Sequence, residues 1–301
     1  MCDSTAAMKH GAPEDVLASA QANAPEGGLA SAQANAPEDV LASAQANAPE
    51  GGQAPTPAPE DVPADTKPAT PGIFITFEGG EGAGKSTHIA FLAFCLRELG
   101  YEVLCLREPG GTAIGEQLRA IVLDPKNDCL DAHAELFIYE AARAQIVSQV
   151  ISPALARGAV VLCDRFYDST VAYQAAGRGL SAQFIHQANA FACQGIEPQR
   201  TILMVSSTTE EGLERATNEG ADRIERAGVD FHTRVNAAFL EIARNNPQRV
   251  RVVSFAESKA ETAKRVFDQV KDLIPGLEQA AAANNEYFQR AENKELYKKE
   301  Q

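Results

Sequence analysis

The chain has 301 residues, 45% of them hydrophobic, with a formal net charge of −14, six cysteines and no tryptophan. That composition suits a soluble globular core of one or two domains, and it excludes two partner classes: the acidic balance offers no broad basic footprint for nucleic acid, and no stretch approaches the roughly 20 apolar residues that cross a bilayer. Cys2, Cys95, Cys105, Cys129, Cys163 and Cys193 form neither a CxxC pair nor a zinc-like spacing, so they are expected to be buried thiols in a reducing, cytoplasmic setting.

The first 71 residues differ from the rest. From Met1 to Gly72 ten acidic residues face only Lys9 and Lys67, a balance of −8 out of the −14. Between Ala12 and Glu50 a unit repeats every twelve positions, alternating APEDVLASAQAN with APEGGLASAQAN. Each unit offers at most Val and Leu for burial, too little to offset the entropy of ordering it, so residues 1–71 are expected to be a disordered repetitive tail ending in a Pro-rich linker.

From Ile73 onward short apolar runs alternate with helical patterns. Strands are predicted at Ile73 to Phe77, Glu102 to Leu106, Ala159 to Cys163, Thr201 to Val205 and Val250 to Ser254. Helices are predicted at Lys85 to Leu99, Gly115 to Leu123, Ala132 to Ala156, Ala182 to Cys193, Glu210 to Ala216, Asp230 to Asn245 and Ala260 to Ile274. This is the pattern of an α/β fold in which a five-stranded parallel sheet is flanked by helices in three layers. Gly276 to Gln301 is polar with a thin apolar stripe and reads as a weakly held C-terminal extension.

Three segments carry chemistry. The first predicted strand runs into FEGGEGAGKST, Phe77 to Thr87, a GxxxxGK[S/T] loop followed by a helix. In that context the backbone N–H groups of Gly79, Gly80, Glu81, Gly82, Ala83 and Gly84 and the helix start at Lys85, Ser86 and Thr87 form a phosphate cradle. Lys85 reaches the outer phosphates, and Ser86 supplies a hydroxyl to Mg2+. LREPGGTAIGEQLR, Leu106 to Arg119, is a strand, a Gly-rich turn and a helix that bring Arg107, Glu108 and Arg119 to one ligand or simply connect two elements. In VVLCDRFYDSTVAYQAAGRG, Val160 to Gly179, a strand delivers Asp164 and Arg165 to the carboxyl edge of the sheet, where open α/β folds bind ligands. Asp164 suits a magnesium contact, and Arg165 suits a clamp between two phosphates.

Taken in order, EGGEGAGKST, REPGGT, YEAARAQ, DRFYDSTVAYQ with GRG, and DRIE at Asp222 to Glu225 make residues 72–275 resemble the bacterial-type thymidylate kinases, members of the P-loop nucleoside monophosphate kinases. The resemblance implies a P-loop NTPase fold that transfers the γ-phosphoryl group of ATP, with Mg2+, to dTMP in dTTP biosynthesis. A phosphate acceptor is already anionic, so such a reaction needs cations that hold two repelling phosphates in line rather than a strong base. Carried over by position, Lys85, Asp164 and Arg165 are catalytic, and Ser86 and Asp164 hold the metal. Glu81 binds the sugar 3′-hydroxyl, Arg119 and Arg165 hold the acceptor phosphate, and Glu108 lies among the substrate contacts. Tyr139 stacks on the base, Arg143 and Gln174 read its edge with help from Thr170, and Tyr173 crowds the sugar 2′ position. Members of the family are typically homodimers, and the long helix from Ala132 has the apolar length to contribute to such an interface.

One departure cuts against full activity. Where family members with an Arg-free loop place a lid arginine, the segment GLERATNEGADRIE, Gly212 to Glu225, carries Glu219. Two readings follow: an active kinase whose lid takes its cation from Arg215, Arg223 or Arg226, which intact Lys85, Ser86, Asp164 and Arg165 favour, and a nucleotide-binding protein of weak turnover, which Glu219 favours. A second departure places Ser206 where the family commonly has Asp.

Overall fold

A computed structural model describes residues 71–206, 209, 214, 222–284 and 287–293. The repetitive tail, Arg215, Glu219 and all but Glu214 of the helix expected over Glu210 to Ala216 lie outside the described residues. Five strands form one parallel sheet: β1 (Ile73–Glu78), β2 (Val103–Arg107), β3 (Val160–Asp164), β4 (Arg200–Val205) and β5 (Val250–Ser254), in the order β2-β3-β1-β4-β5. Each run is short and apolar because both faces are covered. On one face Ile75, Phe77, Leu162, Ile202 and Met204 pack on α1 (Lys85–Glu98); on the other, Phe74, Val161 and Cys163 pack on Ile146 and Ile151.

Topology places the site. The chain leaves β1 for the β2 edge but leaves β3 for the β4 edge, so a crevice opens at the carboxyl ends of β1 and β3. Register sharpens this, because Phe77 pairs with Asp164. The loop after β1 and the Asp164–Arg165 turn therefore emerge side by side.

Among the described residues the further helices are α2 (Ala113–Leu123), α3 (Ala132–Ile146), α4 (Ser152–Ala156), α5 (Tyr167–Thr170), α6 (Ala182–Cys193), α7 (Val229–Asn245), α8 (Lys259–Asp268) and α9 (Leu277–Ala282). Three departures from expectation have physical causes. The helix predicted as continuous from Ala132 to Ala156 passes through a π-helical stretch, Val147–Ile151, before α4; Pro153 has no N–H to continue the regular ladder. The helix predicted to reach Ile274 ends at Asp268, and tighter bonds such as Val270 N–H to the Phe267 carbonyl carry the chain on, while Val270 and Ile274 remain buried.

The third departure is the described part of the C-terminal extension, residues 276–284 and 287–293, which is docked rather than weakly held. Leu277, Tyr287 and Ala291 are buried in the core cluster around α1, and Phe288 packs edge-on against Phe267 with ring centroids 5.2 Å apart. The Glu292 carboxylate accepts from the Ala260 N–H at the start of α8, at 3.0 Å. Among the described cysteines Cys95, Cys163 and Cys193 are buried as expected, but Cys129 is exposed.

Candidate active site

β1 turns directly into the glycine loop. Gly79 takes φ 134°, and a Cβ there would lie 2.2 Å from the Met204 carbonyl oxygen, so no side chain fits. Gly84, at φ 62°, sets up α1, whose first residue is Lys85. The Lys85 ammonium is buried and folds back over the loop, donating to the Gly80 carbonyl at 3.1 Å. Burial, and then Arg165, lower its pKa against the pull of Asp164, Glu81 and Glu78. One residue on, Ser86 Oγ donates to Asp164 Oδ2 at 2.9 Å. A cleft of about 950 Å³ is lined by Glu81 to Thr87 together with Arg107, Glu108, Arg119, Asp164, Arg165 and Glu225.

A second cleft, of about 670 Å³, adjoins it. All nine residues expected to contact the acceptor line this cleft: Glu81, Glu108, Arg119, Tyr139, Arg143, Arg165, Thr170, Tyr173 and Gln174. Glu81, Glu108, Arg119, Arg165 and Glu225 line both clefts, so the two meet at a wall of alternating charge.

Arg165 is the centre of that wall. Its backbone is left-handed, φ 70°, a conformation that costs a non-glycine residue free energy. Its N–H donates to the Phe77 carbonyl at 2.9 Å. The guanidinium donates to the Gly79 carbonyl at 2.9 Å and to Glu81 at 2.8 Å, and lies 5.1 Å from the centroid of the Tyr173 ring. The Tyr173 hydroxyl also donates to Glu81, at 2.7 Å. Burial would raise the Glu81 carboxyl, but Arg165, Lys85 and Tyr173 outweigh it and hold the pKa at about 2. Behind the turn, the buried Glu78 carboxylate accepts from the Phe166 N–H at 2.8 Å and the Ser169 hydroxyl at 2.6 Å, fixing Arg165 from below.

Deeper in the cleft Arg143 is fully buried. It donates to Glu108 at 2.9 Å, to Glu140 at 3.1 Å and to Asn189 at 2.8 Å. Burial pushes the Glu108 carboxyl up to about 7 against the attraction of Arg143. Glu108 Oε1 and Thr170 Oγ1 are buried and lack a hydrogen-bond partner within the protein, and both residues line the cleft. Orphaned polar atoms of this kind fit a polar ligand. Tyr139 flanks them, with burial raising its hydroxyl pKa. Arg119 donates to the Pro109 carbonyl at 2.9 Å at the mouth. The π-helical stretch Val171–Gly177 after α5 carries Tyr173 and Gln174 toward the cleft, a use of π-geometry common at functional sites.

The lid candidates separate. Arg223 is buried away from the loop: its Nε donates to the Val122 carbonyl at 2.8 Å, and its terminal nitrogen pairs with Glu135. Arg226 is exposed, with its backbone N–H on the Asp222 carbonyl at 3.1 Å. Sequence reasoning missed Glu135 and Arg178. The only mark Glu135 leaves is an acidic residue in the first turn of α3, where the N-terminal dipole welcomes it in any helix.

The thymidylate kinase family model matches residues 77–266. A curated thymidylate kinase of Trichlorobacter lovleyi is 44% identical over 205 residues, 66% of this chain and 96% of the relative. One from a Synechococcus strain is 47% identical over 203 residues, covering 67% and 96%. The chain belongs to the thymidylate kinase family. The crystal structure of thymidylate kinase from Ehrlichia chaffeensis superposes with a TM-score of 0.56 at 30% identity, covering 68% of this chain and all of the other. The strap from Leu277 to Glu292 lies beyond the residues the family model matches.

Proposed function

We propose that this chain is an ATP:dTMP phosphotransferase, forming dTDP for dTTP synthesis, and that the two adjoining clefts hold donor and acceptor. One observation carries this reading: the residues expected to hold the acceptor line a single cleft, and that cleft shares Arg165 and Glu81 with the phosphate loop. The loop N–H groups and Lys85 take the β- and γ-phosphates of ATP. Arg165 and Arg119 draw the dTMP phosphate to the shared wall, so the attacking oxygen faces the γ-phosphorus in line. Glu81, ionised throughout the physiological range, accepts the sugar 3′-hydroxyl. Tyr139 offers its ring to the thymine face, Arg143 with Thr170 and Gln174 meets the base edge, and Tyr173 closes the space beside the sugar 2′ carbon.

The Ser86 hydroxyl and the Asp164 carboxylate are hard oxygen donors placed together beside the loop, a set suited to Mg2+. They would hold the ion, which when bound offsets the charge on the transferred phosphates. Among the described residues no group of three or more His, Cys, Asp or Glu side chains gathers to hold a metal by itself.

The partners are ATP, dTMP and a second copy of the chain. Phe137 on α3, Phe184 and Phe191 on α6, and Ile114 and Ile121 on α2 are exposed apolar side chains, and the Phe137 and Phe184 rings touch edge-on. Three adjacent helices thus present the apolar face a homodimer needs. No described helix is long and apolar enough to cross a membrane; the site of action proposed is the cytoplasm. Activity resides from Gly72 onward, so removing residues 1–70 leaves kcat/KM within about twofold. A coupled ADP-release assay with dTMP tests the assignment, and absence of turnover alongside tight ATP and dTMP binding overturns it in favour of the weak-turnover reading that Glu219 raises.

A further inference from the structure

We propose that Glu135 is a specificity-determining positioning residue: its carboxylate fixes the Gln174 amide so that the amide oxygen faces the base, admitting pyrimidines with an N3–H and rejecting cytosine. The proposal rests on the reading that Gln174 meets the base edge.

Glu135 is wholly buried beneath the cleft. One carboxylate oxygen accepts from Gln174 Nε2 at 2.8 Å and from Arg178 Nε at 3.1 Å; the other accepts from Arg178 Nη2 at 3.0 Å and from Arg223. Two guanidinium groups keep the carboxyl ionised although burial opposes it, and its pKa is held below the usual range. An ionised carboxylate has no proton to donate. The end of Gln174 that meets it must therefore be the NH2 group, so the ordinary ambiguity of an amide's orientation does not arise here. Gln174 lines the acceptor cleft beside Thr170 and Arg143, and what remains for it to present there is an acceptor.

Thymine and uracil carry an N–H donor at N3, whereas cytosine carries a lone pair. A fixed acceptor pairs with the first and faces an unpaired lone pair on the second. Sites built around such a buried hydrogen bond reject the mismatched partner far more strongly than an apolar pocket does. The 5-methyl group plays no part, so this device treats dUMP and dTMP alike.

The test is competition by dCMP and by dUMP against dTMP, with the full chain and three variants. In Glu135→Gln a neutral amide meets Gln174 in either orientation, and the dCMP inhibition constant falls at least about tenfold relative to the dTMP KM, while the dUMP ratio stays within about twofold. In the reciprocal variant Glu135→Gln with Gln174→Glu, a carboxylate at position 174 has no proton to donate and again presents only acceptors to the base. Discrimination against dCMP then returns, and this variant decides the matter if the single one does not fold. Parallel shifts of dCMP and dUMP, no shift in Glu135→Gln, or no recovery in the reciprocal variant overturns the proposal. Gln174→Ala separates the two levels: if it leaves dCMP discrimination intact, the reading of Gln174 at the base edge fails; if it relaxes discrimination while Glu135→Gln does not, only the role of Glu135 fails.

Discussion

Arg165 donates to Glu81 across 2.8 Å, joining the turn after β3 to the phosphate loop after β1. The pair belongs to the wall that the two clefts share. Glu81→Gln keeps the shape but removes the charge that balances Arg165, and charge-assisted hydrogen bonds are worth about 1.5–3 kcal/mol. The expected result is a loss of about 10- to 100-fold in kcat/KM for dTMP. ATP affinity, measured by calorimetry without dTMP, changes little. Equal losses for both ligands would mean that the pair merely holds the loop together.

Lys85 is buried with its pKa lowered by burial and Arg165, so holding its charge costs folding stability. Lys85→Met should remove that cost and leave Tm unchanged or raised. Turnover should fall by about 10²–10³, the usual effect of deleting one preorganised charge donor. A lower Tm together with retained turnover would contradict both halves of the argument.

Glu108 gives a pH signature. Burial carries its pKa from the ordinary 4.5 to about 7. Between those values the native state keeps a proton that the unfolded chain has released, so this contribution to stability is complete below about pH 4.5 and lost as pH rises through about 7. His88, lowered to about 4 by burial, acts in the opposite sense over part of that range, and Glu78, raised to about 7 by burial and Asp168, acts in the same sense. The readout is therefore a difference: Tm of the native sequence minus Tm of Glu108→Gln should shrink as pH goes from about 5 to about 7.5. A difference that stays flat over this range would show that Glu108 is ionised throughout.

Phe191 is 88% exposed and Phe137 58% exposed. If this face buries a second copy, placing a carboxylate there strands a charge in an apolar contact. Phe191→Asp should weaken self-association at least about tenfold, seen by sedimentation velocity as a shift from dimer to monomer. An unchanged sedimentation coefficient would direct attention away from α3 and α6.

The strand positions were legible because each is a short apolar run bounded by turn residues, and β5 has the bounds its residues imply. The residues that line the second cleft were legible as ordered motifs, since Asp164–Arg165 and the glycine loop end neighbouring strands and need only the sheet to meet. Less was visible where the cause is non-local. Pro153 marks the irregularity between α3 and α4, but apolar periodicity runs through it. Tyr287 and Ala291 are too sparse to form a stripe, and they bury themselves only because Phe91 and Phe267 await them. Glu135 shows in the sequence only as a first-turn acid of a kind any helix carries, because its three partners stand 39, 43 and 88 residues away.

The shared wall is proposed to bring ATP and dTMP together for phosphoryl transfer. That role is tested most directly by ADP release with dTMP, dUMP, dCMP and dGMP, each at saturating ATP and Mg2+. Turnover is expected with dTMP as the best acceptor, dUMP next, and dCMP and dGMP far behind. Turnover with none of them, or a preference for dGMP, would contradict that role.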